Sequence, residues 1–337
     1  MMEVLLSAPM LTIQDNGRQG WRHLGVPRCG MMDKLALCQA NLLLGNDENA
    51  AALEITSGPV LLKFNQNSLI VVMGADMQTC ILDGDQNTVK RKNLIPGFIY
   101  ALQAGDCLRM SQAAQPGQRA MLMVAGGFDV EPVMGSRSTD LMNGFGGLHG
   151  QALRAGDKVP IGAAPAGTMS EAIKTANLPH KSGVRQHSWN HELRIMPGTD
   201  YSRFDDKARK YLCESRWTLS PDCNRMGLRL QGEALNLART PEKNTTRHLS
   251  IGVLPGLIQV PPDGQPIILA ADAQTTGGYP AIASIISCDL WQLAYMTPGT
   301  RIRFSEVSLA EAHGLASHQQ QQIQKLRDSL KLQRSRS

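Results

Sequence analysis

The chain has 337 residues, of which 42% are hydrophobic and 19% charged, and it carries a formal net charge of +5. That length and composition suit about two globular domains with full apolar cores. The charge is small and gathers in the tail, where Lys325, Arg327, Lys331, Arg334 and Arg336 face Asp328 alone. Neither a nucleic-acid surface nor a membrane span is therefore expected, because no apolar run nears the ~20 residues a bilayer requires.

Aromatics make up only 4% of the chain, whereas Gly and Pro number 32 and 18, a balance that favours short strands and turns over a helical bundle. The seven cysteines (Cys29, Cys38, Cys80, Cys107, Cys213, Cys223 and Cys288) are odd in number, irregularly spaced and free of any Cys-x-x-Cys pair. That pattern predicts reduced thiols and neither a disulfide frame nor a zinc site. Met1–Thr12 lacks a basic start followed by a long apolar core, so the expected location is cytoplasmic.

Along the chain, the first feature is a polar turn, Thr12 to Gly20, containing Gln14, Asp15 and Arg18. An Arg between glycines could hold an anion; the alternative is a surface turn in which Asp15 pairs with Arg18. Asp33 to Leu44 reads as a helix, capped by Asp33 and ended by Gly45. Leu69–Met73 and Ala120–Ala125 read as strands buried on both faces. Gly135-Ser136-Arg137-Ser138-Thr139 places hydroxyls on either side of an Arg, an arrangement suited to a carboxylate or phosphate. The following Gly144–Gly150 run is not a dinucleotide fingerprint, since it opens no helix after a strand. Ala104-Gly105-Asp106, Ala155-Gly156-Asp157 and Pro298-Gly299-Thr300 each predict a tight turn into an alternating strand.

A stretch rich in Ala, Pro, Thr and Lys, 163–187, reads as a linker between a first domain, 1–162, and a second, 188–307. The second domain begins with a strand near Glu192–Ile195 and a helix over Phe204–Cys213, with Ser202 or Asp205 at its start. The turn Ser220–Gly227 then carries Asn224 and Arg225. Residues 308–337 form a last helix and basic tail, opened by the capping box of Ser308 and Glu311. Its expected buried face is Leu309, Ala312, Ala316, Ile323, Leu326 and Leu330.

Two polar clusters, Pro261–Pro266 and Asp272–Pro280, flank the apolar strand Ile267–Ala271. Asp272, Gln274, Thr275 and Thr276 offer acceptors and donors, and Gly277-Gly278 lets backbone N–H groups approach a ligand. The alternative is a loop whose side chains satisfy their own backbone. There is no phosphate-binding Gly-x-x-x-x-Gly-Lys-Ser/Thr loop and no Gly-x-Ser-x-Gly elbow. Cys223, beside Arg225 but without a recognisable His partner, is weak evidence for a nucleophile.

Thr12–Gly20, Gly45–Thr56, Val124–Thr139, Asn224–Gly232 and Gly252–Pro280 together resemble the carboxyltransferase-domain family that includes allophanate hydrolase subunit 2-like proteins, and its 5-oxoprolinase branch in particular. Ala281 departs from that pattern, in which an Arg is common. The resemblance implies a mainly β protein with a few helices, built from two β-rich domains of the cyclophilin-like β-barrel type. It implies an ATP-dependent complex, with Mg, that hydrolyses 5-oxo-L-proline to L-glutamate. The implied partners are the other two components of that complex, one B-like (KipI-type) and one A-like. Residue chemistry then nominates Asp272, or Asp263, as the base. Gln14, Asp15, Arg18, Arg137, Ser138, Asn224, Arg225, Gln259, Gln274, Thr275, Thr276, Gly277 and Gly278 are the substrate- or anion-binding candidates. Two alternatives stay open: a biotin-dependent carboxyltransferase, which would need a separate biotin carrier, and a regulatory module antagonising a kinase inhibitor.

Overall fold

The computed structural model describes residues 1–82, 90–113, 118–165, 183–184, 190–238 and 249–335. Most of the expected linker, 163–187, and the last two residues of the tail lie outside the described residues. The chain divides into two compact units that do not follow chain order. The first comprises residues 1–19, 29–187 and 322–337, and the second residues 20–28 and 188–321.

In the first unit, β1 (Met2–Leu6), β4 (Val60–Phe64), β6 (Cys80–Leu82), β7 (Lys90–Asn93), β9 (Cys107–Met110) and β11 (Lys158–Val159) form one sheet, ordered β11-β1-β4-β9-β6-β7. β2 (Met10–Gln14), β3 (Ala52–Thr56), β5 (Ser68–Gly74), β8 (Ile99–Leu102) and β10 (Arg119–Val124) form a second, ordered β2-β3-β10-β5-β8. The two sheets share one apolar core, to which Val4, Leu62 and Leu108 contribute from the first and Leu53, Val72 and Leu122 from the second.

Every residue of β5 and β10 is buried, as the sequence predicts for continuous apolar strands. Side chains alternate across a sheet, so Ile70, Val72, Ala120 and Leu122 enter the shared core while their neighbours face the other way. Helix α1 (Lys34–Leu44) packs on β5 and β10. It lacks β-branched residues, its first turn is capped by Asp33, which accepts from Ala36 N at 2.8 Å, and Gly45 ends it in the left-handed conformation.

The second unit is a closed seven-stranded barrel. Its strands are β12 (Glu192–Pro197), β13 (Trp217–Leu219), β14 (Gly227–Gln231), β16 (Leu257–Gln259), β17 (Ile267–Leu269), β19 (Ala281–Ile285) and β20 (Arg301–Glu306), ordered β12-β19-β16-β17-β14-β13-β20. All pairs are antiparallel except β12–β20, whose parallel register (Leu193 opposite Phe304) closes the ring. Closure leaves no sheet edge exposed. Trp217, fully buried, donates its indole N–H to Leu212 O at 3.0 Å and so ties the wall to helix α2 (Asp206–Glu214). β15 (Ile251–Gly252) and β18 (Thr276–Gly277) form a separate ribbon above a small cluster of Val253, Leu269 and Ala273.

Helix α3 runs from Leu309 to Ser335. The capping box forms as expected: Ser308 N donates to Glu311 Oε2 at 2.8 Å, and Glu311 N to Ser308 Oγ at 3.2 Å. Along it Ala312 is buried and Leu315, Ala316, Ile323, Leu326 and Leu330 are half-buried, while Leu309 is exposed. Leu309 lies one turn before Ala312, which with Leu315 meets Ile286 and Cys288. Among the described residues no helix is long and apolar enough to cross a membrane.

Candidate functional site

The nominated residues fall into two sets, one in each unit. In the first unit, β2 ends at Gln14, which is fully buried. Its side-chain amide donates to Thr12 Oγ1 and Thr139 O, each at 3.2 Å, and its carbonyl accepts from Gly30 N. Asp15, 2% exposed, is a hub for the 136–138 turn. Its oxygens accept from Gly17 N at 2.7 Å and from Ser136 Oγ, Arg137 N and Ser138 Oγ, each at 2.6 Å.

Asp15 therefore does not pair with Arg18, and neither residue is at the surface. Arg18 is 1% exposed; its Nη2 donates to Ser138 O, and its guanidinium lies 4.5 Å from the centroid of the Phe145 ring. Its Nε and Nη1 have no hydrogen-bond partner among the described residues.

The Ser-Arg-Ser motif forms a cradle, and what it holds is Asp15. The Arg137 side chain turns elsewhere, donating from Nε to Val130 O at 2.8 Å and from Nη2 to Asp129 at 3.1 Å. It borders a polar cavity of ≈ 270 Å³ lined by Asn46, Asn49, Gly126 and Gly127.

In the second unit, Arg225 and Asp272 form a bidentate pair, Nε to Oδ2 and Nη2 to Oδ1, both 2.8 Å. Asp272 N also donates to Arg225 O at 2.8 Å, so side chain and backbone tie the turn before β14 to the turn after β17. With both oxygens accepting from the guanidinium, Asp272 is arranged to position Arg225. Asp263 is an exposed turn residue accepting from Gln265 N at 3.0 Å. Asn224 likewise accepts from Met226 N and Gly227 N. For these two the self-satisfying reading describes the geometry.

Gln259 is 1% exposed and donates to Tyr279 O at 3.1 Å, with Gly277 packed against its carboxamide. Thr276 and Gly277 pair with Ile251 and Gly252, while Gln274, Thr276 and Gly278 are exposed.

Residues 24–306 match the family model described as the carboxyltransferase domain, subdomain A and B. The chain belongs to the carboxyltransferase-domain family. It is 41% identical to the C subunit of 5-oxoprolinase from Escherichia coli (strain K12) over 97% of both chains, and 39% identical to the corresponding C subunit from Haemophilus influenzae over 93% of both. The crystal structure of Kluyveromyces lactis urea amidolyase superposes with a TM-score of 0.81 at 26% identity, covering 96% of this chain and 20% of that one.

For this carboxyltransferase-domain chain, sequence reasoning missed Arg22 and Arg28. Both belong to the 20–28 segment that joins the second unit. Arg22 Nη2 donates to Val253 O, and to Gln274 O and Thr275 O at 3.3 Å each. It thereby pins the loop that carries Gln274–Gly278. Burial first, then repulsion from Arg28, lowers the pKa of Arg22. The available signal was an Arg three residues before Gly25 and another just after Pro27. Among the described residues no group of three or more His, Cys, Asp or Glu could hold a metal ion. The buried guanidiniums and exposed amides suit an oxyanion better than a cation.

Proposed function

We propose that this chain is the C subunit of a 5-oxoprolinase, an ATP-dependent cyclic amide hydrolase that opens 5-oxo-L-proline to L-glutamate only together with its partners. The observation that carries the reading is the 41% and 39% identity to two such C subunits over 97% and 93% of each chain. The partners would be a B-like (KipI-type) protein and an A-like protein.

An unstrained lactam carbonyl is a poor electrophile. ATP, when bound by the complex, would supply a phosphoryl group to the lactam oxygen, making the ring carbon more electrophilic toward water. The C–N bond then breaks as its nitrogen takes a proton, and hydrolysis of the acyl phosphate leaves the new carboxylate and phosphate. This chain's contribution is binding and orientation. Arg22 fixes the Gln274–Gly278 loop, whose exposed amide, hydroxyl and glycine N–H groups face the reactants as donors. The carboxylates nominated as bases, Asp272 and Asp263, are engaged with Arg225 and Gln265. The proton-accepting group is therefore assigned to a partner protein, which explains why a lone chain would be inactive.

The test is glutamate release from 5-oxo-L-proline and ATP, comparing this chain alone, its candidate partners alone, and the mixture. Release from the full mixture alone is the expected result. Release without this chain would refute the assignment. A second reading, carboxyl transfer from biotin, draws on the 28% and 29% identity to urea amidolyases, of which this chain spans 18%. Under it the mixture is silent toward 5-oxo-L-proline and acts only when a biotinylated carrier is added.

A further inference from the structure

The Arg18 guanidinium has no directly paired carboxylate among the described residues. Asp15 directs its oxygens to Gly17, Ser136, Arg137 and Ser138. One carbonyl, Ser138 O, and one aromatic face, Phe145, are its contacts, and Nε and Nη1 are buried without a partner among the described residues. An unpaired ion in a protein interior is strongly unfavourable, and stacking on an aromatic ring offsets only part of that.

The surrounding chain is nevertheless shaped around the group. Gly146 sits at φ +72°, and a Cβ there would stand 2.2 Å from both Arg18 Nη2 and Ser138 O. A loop built to admit a charge it does not pair is a site for something that does.

We propose that Arg18 is the anchor of a small-carboxylate binding site, with its Nε and Nη1 N–H groups as donors and the Phe145 ring stacked on the guanidinium. The class follows from the neighbours. The hydroxyls and N–H group that could serve the extra oxygens of a phosphate are already committed to Asp15. The charge of Asp15 also disfavours a dianion more than a monoanion. A planar carboxylate with two oxygens matches a planar cation with unused N–H groups. The proposal stands independently of the reaction assigned above, because it rests on burial and hydrogen bonding alone.

The test is thermal unfolding of the full chain in a zwitterionic buffer, with saturating acetate, L-glutamate, 5-oxo-L-proline or inorganic phosphate, for wild type and Arg18→Met. Carboxylates are expected to raise the wild-type Tm by about 5 °C and to leave the variant unmoved. Without added anion the variant melts no lower than wild type, because an apolar side chain of similar length replaces an unpaired buried cation. Stabilisation by all three carboxylates marks a general site, and stabilisation by 5-oxo-L-proline alone marks the substrate's own carboxylate; both support the assignment. A carboxylate shift that persists in Arg18→Met, or a phosphate shift lost in the variant while carboxylates are silent, overturns it. Should the variant fail to fold, calorimetric titration of wild type decides, and no heat with any of the three carboxylates overturns it equally.

Discussion

Replacing Asp272 with Ala would leave the Arg225 guanidinium buried without its carboxylate. The pair is bidentate at 2.8 Å, its side chains are 4% and 11% exposed, and it joins two turns on adjacent barrel strands. Breaking such a pair from one side costs about 3–5 kcal/mol, most of it the penalty of the charge left behind. For a unit of about 140 residues each kcal/mol shifts the midpoint by roughly 3–4 °C, so Asp272→Ala should lower it by about 10–20 °C. Arg225→Met combined with Asp272→Leu should recover most of that loss, since an apolar pair of similar volume removes both charges together. Calorimetry of the full chain measures all three proteins. A single variant within about 2 °C of wild type, or a double variant no better than the single, would refute the argument. Turnover of the reconstituted complex adds a separate readout. A positioning role predicts that Asp272→Asn keeps the pH profile and loses activity only in step with stability. A proton-accepting role predicts a loss of about 10²-fold or more at unchanged stability.

Gly146→Ala should destabilise by more than about 2 kcal/mol, because the new methyl meets Arg18 and Ser138. Gly144→Ala has nearly the same φ, +70°, but open space around it; it should cost only about 1 kcal/mol, and equal costs would remove the steric reasoning. Burial, then the hydrogen bond to Glu48, pushes the Cys38 thiol up to about 12. Its alkylation by iodoacetamide at pH 8 should therefore be far slower than that of an ordinary thiol, and Glu48→Gln should speed it. Burial of Glu48 opposes ionisation, but hydrogen bonds from Arg327 and Cys38 outweigh it and hold the carboxyl below its ordinary 4.5. The Glu48–Arg327 contact thus stabilises fully above pH 4.5 and is lost as pH falls through the lower folded value. The pair is more than a third exposed on the Glu side, so the effect stays under about 1 kcal/mol; Arg327→Gln should abolish it in acid-unfolding curves.

Local signals in the sequence located the helices because caps act within four residues. Asp33 with Gly45, Asp205 and the Ser308–Glu311 box each close their own backbone groups. The buried strands were equally legible, since β5 and β10 are covered on both faces and carry uninterrupted apolar runs. The assignment of residues to units was not. The parallel β12–β20 pair joins segments more than a hundred residues apart. Nothing in the composition of 20–28 says that Arg22 bonds to Val253 and Thr275 instead of to its own neighbours. Non-local pairing decides both, and residue type carries no record of it.

The candidate site was legible as a set of polar residues and illegible as a set of obligations. Asp15 and Arg18, three residues apart, look like a salt bridge in the sequence. In the fold, four donors capture Asp15 first and Arg18 is left with a carbonyl and an aromatic ring. Of the three arginines nominated for an anion, Arg225 is held by Asp272 and Arg137 by Asp129 and Val130. Their side chains serve the fold in the same way as the Asn224 and Asp263 turns. Arg18 differs because burial has removed its water and no carboxylate of the described residues replaces it. A ligand site is recognised by charge that remains after internal pairing, and that remainder exists only once the chain has folded.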